Sequence, residues 1–230
     1  MIEYRESAER FETIAEGRTT RHSFSFGAHY DPRNTGFATL VAHNDEVLPP
    51  GTGYAEHPHA DLEIVTWVLS GSLRHTSSVG SGVIGPGQVQ RLSAGSGVVH
   101  AEVNEAPGAS TRFLQTWVRP DESGTEPSYV AAKVDLSDSW TALAGAGGAI
   151  TLGSAGTSLL VARPRRATCV QLPDSPQLHV FVAAGAVMLG ERLLLPGDTA
   201  RLHDEGGRDA TAEQDAELVV WSFRGSAHPG

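Results

Sequence analysis

Two short phrases carry most of the chemistry open to this chain: His57-Pro58-His59 and His100-Ala101-Glu102. In each, two side chains of metal-ligating type are separated by a single residue. Successive side chains of a β-strand point to opposite faces, so each pair projects from one face of its strand. Two such pairs on facing strands bring three imidazoles and one carboxylate to a point. That donor set suits Fe, Mn, Ni, Cu or Zn and is too rich in nitrogen for Mg or Ca. A closed structural zinc site is often built with thiolates, and Cys169 is the only cysteine of the chain.

The surrounding sequence has to supply the strands. Gly 26 and Pro 13 fall at intervals between short apolar runs, which predicts many turns and an all-β protein. His22–Phe26 alternates strictly and reads as a strand, and Tyr30–Asn34 reads as a turn from its Asp, Pro and Asn. Phe37–His43 is strand-like. Glu63–Leu69 and Leu73–Thr76 flank Ser70-Gly71-Ser72 as a hairpin. Val83-Ile84, Val89–Leu92 and Phe113–Val118 follow, with Asp121–Pro127 as a polar loop. Only Ser7–Glu16 has helix-compatible content. Leu143–Ser158, rich in Gly and Ala, reads as a linker or irregular crossover, after which strands resume at Leu159–Ala162, Ala167–Leu172, Leu178–Ala183, Ala186–Leu189, Arg192–Leu195 and Glu217–Phe223. Such spacing describes a sandwich or barrel rather than βαβ units.

Gly185, a strand, and then Leu195-Pro196-Gly197-Asp198 echo Gly71 followed by Ile84-Gly85-Pro86-Gly87-Gln88, as two copies of one β-barrel unit do. The expected organisation is a metal-carrying barrel over residues 1–125, a connecting segment over 126–158, and a second barrel over 159–230. The second half has only His179, His203 and His228 and no His-x-His pair, so the metal is assigned to the first unit and a structural role to the second.

A length of 230 residues allows a substantial core, and a net charge of −10 argues against direct nucleic-acid or anionic-membrane binding. The single cysteine excludes an internal disulfide or a CxxC redox site, and Cys169 is expected to be a small buried apolar residue. No signal-peptide h-region and no apolar stretch of membrane-spanning length is visible, so the expected location is cytoplasmic. His22, His43 and His75 read as ordinary polar residues on strands, and Trp67 and Trp117 as barrel filling rather than substrate platforms.

The run His57-Pro58-His59 … Glu63-Ile64-Val65-Thr66-Trp67-Val68-Leu69 resembles the first motif of the pirin family of the cupin superfamily. Pro86 to Asn104, with His100-Ala101-Glu102 near its end, resembles the second. Arg21–Phe26, Tyr30-Asp31-Pro32 and Leu40…Asn44-Asp45 also fit, so the resemblance covers roughly Arg21 to Pro120. It implies a bicupin of the jelly-roll type, two stacked antiparallel β-barrels with one divalent transition metal, Fe(II) in preference to Zn, Ni, Mn or Cu, in the first. By motif position the implied ligands are His57, His59, His100 and Glu102. Glu63 then lies outside the ligand set, either orienting a metal-bound imidazole or acting as an ordinary paired carboxylate. Ala60 stands where the family usually carries an arginine, removing a positive charge from the pocket mouth or a partner surface.

Four protein ligands on an octahedral metal leave two positions for substrate, dioxygen or water. The resemblance to bacterial pirin-like proteins with quercetinase activity implies a dioxygenase acting on a small aromatic chelating substrate such as a flavonol. In that reading Glu102 is the catalytic residue that accepts the substrate hydroxyl proton. Two alternatives fit the same ligands: a non-enzymatic iron-binding redox sensor working through a protein partner, and a metal isomerase or hydrolase acting on another chelator.

Overall fold

The computed structural model describes residues 1–225; His228 lies outside them. Among the described residues the secondary structure is strand and turn, with one 3-10 segment and no α-helix. In chain order the strands are β1 (Ile2–Arg5), β2 (Phe11–Ala15), β3 (Arg18–His22), β4 (Leu40–Leu48), β5 (Gly53–His59), β6 (Glu63–Ser70), β7 (Leu73–Ser77), β8 (Gly80–Ile84), β9 (Gln88–Ser93), β10 (Val98–Asn104), β11 (Thr111–Val118) and β12 (Ser128–Lys133). They continue with β13 (Thr141–Gly145), β14 (Thr157–Ala162), β15 (Cys169–Gln171), β16 (Gln177–Ala184), β17 (Val187–Leu189), β18 (Arg192–Leu194), β19 (Thr199–His203), β20 (Asp209–Ala212) and β21 (Glu217–Phe223). The fold is the all-β bicupin jelly roll.

The chain divides into two compact units. One is Phe11–Val134; the other joins Met1–Arg10 to the chain from Asp135 onward. The first unit pairs a seven-stranded sheet, ordered β12-β9-β6-β11-β4-β3-β2, with a four-stranded sheet, β5-β10-β7-β8. Its aliphatic packing lies at Leu48, Val68, Leu73, Ile84 and Phe113, and at Ile64, Leu92, Ala94 and Val98. The second unit repeats the plan with a six-stranded sheet, β1-β19-β16-β21-β14-β13, and a four-stranded one, β15-β20-β17-β18. Its interior is aliphatic, with Leu178, Val180, Val182, Val187, Leu218 and Val220 all buried in one cluster.

The echo between the halves has a backbone cause. Gly71 turns the chain from β6 in the seven-stranded sheet to β7 in the four-stranded one at φ 77°, so the hairpin expected there is a crossover between sheets. Gly185 does the same between β16 and β17 at φ 74°, both in the left-handed region that glycine adopts without strain. A Cβ at either position also meets backbone, 2.7 Å from Thr111 Cα and 2.2 Å from the Asp215 carbonyl oxygen.

Several local expectations are corrected. Ser7–Glu16 is not helical: Ser7–Glu9 is a single 3-10 turn, and Phe11–Ala15 becomes β2 because it pairs along β3, Phe11 opposite His22. The strand expected at His22–Phe26 is not formed: β3 precedes it and ends at His22, and Phe26 makes only an isolated bridge with His29. The Phe37–His43 strand begins only at Leu40. Leu143–Ser158 is no simple linker, since β13 and the start of β14 lie at its ends. Of the 126–158 connector, Ser128–Lys133 pairs with β9 in the first unit and Thr141–Gly145 with β14 in the second. The first ten residues belong to the second unit, where Ile2–Arg5 pairs with β19. Cys169 is exposed, because the alternation of β15 turns Val170 inward and its two neighbours outward.

Candidate metal centre

The two ligand phrases lie on adjacent rather than facing strands. His57-Pro58-His59 ends β5 and His100-Ala101-Glu102 occupies β10, antiparallel partners in the four-stranded sheet. His100 is opposite His57 and Val98 opposite His59. Directly opposed residues of an antiparallel pair share a face, so the three imidazoles converge from one side of the sheet. Their ring centroids are 4.4 Å (His57–His100), 4.9 Å (His57–His59) and 5.0 Å (His59–His100) apart. Each offers a nitrogen lying within 4.8 Å of the other two.

A register shift between His100 and Glu102 sets Glu102 opposite Tyr54 on one side and His75 on the other. Glu102 accordingly groups with His75 and His100, again within 4.8 Å of one another. His100 is common to both groups. Among the described residues both groups lie in the first unit.

Burial prepares these groups for metal rather than for protons. His59 and His100 are pushed down to about 4 and about 3 by burial, helped by neighbouring imidazoles, so both are neutral at pH 7. His59 Nε2 and His100 Nε2 are buried with no hydrogen-bond partner, a costly arrangement that a bound cation resolves. His57 Nδ1 lies 2.7 Å from the Ala55 carbonyl oxygen, which leaves its Nε2 as the outward donor. Glu102 is fully buried; burial raises it to about 7, partly offset by Gln115 Nε2 donating at 2.6 Å and Gln90 Nε2 at 3.3 Å. The His57–His59–His100 group, joined to Glu102 through His100, is a donor set that fits a divalent transition metal.

A pocket of about 330 Å³ opens beside His57 and His59. One wall is aromatic. The Trp117 ring meets His59 edge-on at 4.9 Å and Phe26 at 5.1 Å, and Phe26 stacks on His22 at 4.8 Å. The pocket continues along β4 past Asn44 to Glu46, Tyr54 and Thr20.

Several residues differ from their sequence reading. Trp67 is core, as expected, but Trp117 and His22 line the pocket. His75 is not an ordinary strand histidine: it joins the Glu102 group, lies 3.4 Å from His100 Nδ1 through its own Nδ1, and stacks on Tyr129 at 4.6 Å. Glu63 is the paired carboxylate of its two readings, bonded by Ser93 Oγ, with Arg91 Nε at 3.7 Å. Ala60 is exposed and lines a second, more open hollow with Pro58 and Val98, which shares His59 with the aromatic pocket. Gln90, Gln115, Glu46 and Phe26 escaped the sequence reading. The available signal was Gln115 between Phe113 and Trp117, a polar residue on an otherwise apolar alternating face.

The pirin family profile matches residues 4–118. A Mycobacterium bovis protein provisionally named quercetin 2,3-dioxygenase is 42% identical, over 96% of this chain and 95% of its own length. The Escherichia coli K12 quercetin 2,3-dioxygenase is 38% identical over 59% of each chain. The crystal structure of the bacterial pirin YhhW from Escherichia coli, in complex with nickel(II), superposes with a TM-score of 0.89 at 26% identity, covering 97% of this chain and 99% of that one.

Proposed function

The chain belongs to the pirin family, and from that premise we propose that it is a metal-dependent dioxygenase of flavonol-like substrates, with Fe(II) held by His57, His59, His100 and Glu102. The observation that carries this reading is the converging group of His57, His59 and His100, the last two with buried, orphaned Nε2 atoms, beside a pocket walled by Trp117 and Phe26. The names of the relatives support the substrate class.

The bound metal supplies a Lewis acid and a common anchoring point for substrate oxygens and dioxygen. The protein supplies the rest. Trp117 and Phe26 pack against the planar rings and exclude water from the reacting edge. His22, stacked on Phe26 and 2.9 Å from both Thr13 Oγ1 and Asn44 Oδ1, fixes that wall. Glu102 accepts the proton of the substrate hydroxyl, as a carboxylate within hydrogen-bond reach of the bound substrate can. Gln115 and Gln90 aim its oxygens. A chelating, hydroxyl-deprotonated ketone complements a cation neutralised by only one carboxylate.

The test is aerobic turnover of quercetin by protein reconstituted anaerobically with Fe(II), following flavonol absorbance and O2 uptake together. Coupled loss that disappears in His59→Ala is the expected result. No turnover by protein of confirmed metal content overturns the quercetin reading and leaves a different chelating substrate or the partner-dependent regulatory role. Glu102→Gln protein with full metal and undiminished turnover would rule out the base role.

A further inference from the structure

The pocket has a second polar end that the chemistry above does not use. Glu46, on β4, is 3% exposed, yet it lines the pocket together with Thr20 and Tyr54. Its Oε2 accepts from Thr20 Oγ1 at 2.5 Å and from the Tyr54 hydroxyl at 2.7 Å. Its other oxygen, Oε1, has no partner among the described residues and is not one of the enclosed unsatisfied atoms, so it opens onto the pocket. A buried carboxyl with one oxygen bonded twice and the other left open is an expensive arrangement for stability alone.

Strand register gives the distance between the two ends. Trp117 is opposite Ala42 and Phe113 opposite Glu46, four residues further along β4, or about 13 Å. The aromatic wall therefore occupies one part of the pocket and Glu46 another. Tyr54, which bonds Glu46, links that end to the metal ligands: its ring lies 6.1 Å from that of His57 and it is opposite Glu102. The neighbouring cation is engaged mainly elsewhere, since the Arg18 guanidinium lies 4.3 Å over the Tyr54 ring, donates to the Gly53 carbonyl and pairs with Glu16 at 3.1 Å, although its charge also favours the ionised form of Glu46. A carboxyl presented in this way accepts an O–H and repels a carboxylate.

Resting on the flavonol reading, we propose that Glu46, positioned by Tyr54 and Thr20, is a specificity-determining residue that binds a phenolic hydroxyl of the substrate outside its metal-chelating pair. The favoured substrates are thus polyhydroxylated aromatics rather than aromatic acids or unsubstituted rings.

The experiment is equilibrium binding, not turnover, using Zn(II)-loaded protein under anaerobic conditions and the absorbance shift of the bound flavonol. Quercetin, with two hydroxyls on its remote ring, is compared with galangin, which has none there. At pH 8, where Glu46 is ionised, a hydrogen bond to a charged acceptor predicts a preference for quercetin of about tenfold or more in the wild type. In Glu46→Gln, checked by circular dichroism and metal content, that ratio falls to about one to threefold. A wild type without preference, or a Glu46→Gln protein that keeps it, overturns the proposal. Should that variant not fold, Tyr54→Phe serves: the ratio falls about threefold if Tyr54 positions the carboxyl, and an unchanged ratio overturns the proposal. The same titrations are run with 4-methylcatechol. If no flavonol binds but catechol binds in a Glu46-dependent way, the flavonol reading fails and the subsite stands. If neither binds, both fail.

Discussion

Replacing Glu46 by glutamine removes a proton-binding group from the interior of the first unit while keeping its shape and its acceptor for Thr20 and Tyr54. Burial raises the folded-state value of Glu46 from the ordinary 4.5 to about 7, with the Asp45 charge adding to the rise and the Thr20 and Tyr54 hydrogen bonds opposing it. For an acid raised in this direction, the folded protein holds a proton between those two values that the unfolded chain has already released. Stability therefore falls as pH climbs from about 4.5 to about 7 and is level beyond. At about 1.4 kcal/mol per pH unit, the accumulated penalty is about 3 kcal/mol, and relaxation around the site reduces it toward about 1–2. The assay is urea unfolding of metal-free wild type and Glu46→Gln at pH 4.5, 6 and 8. The variant's stability relative to wild type should rise by about 1–3 kcal/mol between pH 4.5 and 8, with unchanged m-values. Comparing the proteins at each pH cancels the titration of carboxylates remote from Glu46, and running the comparison in a Glu102→Gln background removes the one whose titration responds to the Glu46 charge. A difference independent of pH refutes the argument, because it means that Glu46 stays ionised in the folded protein.

His59→Ala should lower bound divalent metal from about one per chain to nearly none by elemental analysis, with the all-β circular dichroism spectrum retained. Trp67→Ala, which empties a site only 1% exposed, should cost about 3–5 kcal/mol in urea unfolding. Gly71→Ala combines a left-handed φ with a backbone clash against Thr111 and should destabilise by about 2 kcal/mol, showing as a lower midpoint with unchanged m. Cys169→Ser should shift stability by less than about 0.5 kcal/mol, and the wild-type thiol should react with a thiol reagent in the native state as fast as in urea.

The elements easiest to find in the sequence are those whose hydrophobic period is short and uninterrupted. Glu63–Leu69 and Phe113–Val118 lie on β6 and β11 because Val, Ile, Trp and Phe favour a pleated, buried surface. β12 and β19 escaped notice. Ser128–Lys133 is half-exposed at a sheet edge, and Thr199–His203 hides its alternation behind Arg201 and Thr199, both buried. Phe11–Ala15 was ambiguous for the opposite reason: five residues do not distinguish periods of two and 3.6, and pairing with β3 decided between them.

Residue type and spacing by themselves established an all-β chain with two related halves, and three of the histidines that meet. His57 and His59, and His100 two residues before Glu102, need only the alternation of a strand to share a face, which is local geometry. What surrounds them is decided by pairs distant in sequence. Adjacent placement of β5 and β10 brings His100 opposite His57, and a register shift turns Glu102 toward His75, Gln90 and Gln115. The third strand of that sheet, β7, makes His75 a neighbour of the site, and β3, β4 and β5 together create the Thr20–Glu46–Tyr54 group. Neither the values near 7 for Glu102 and Glu46 nor those near 3 and 4 for His100 and His59 can be read from a linear string. They arise from burial, and burial exists only once the sheets have closed around the pocket.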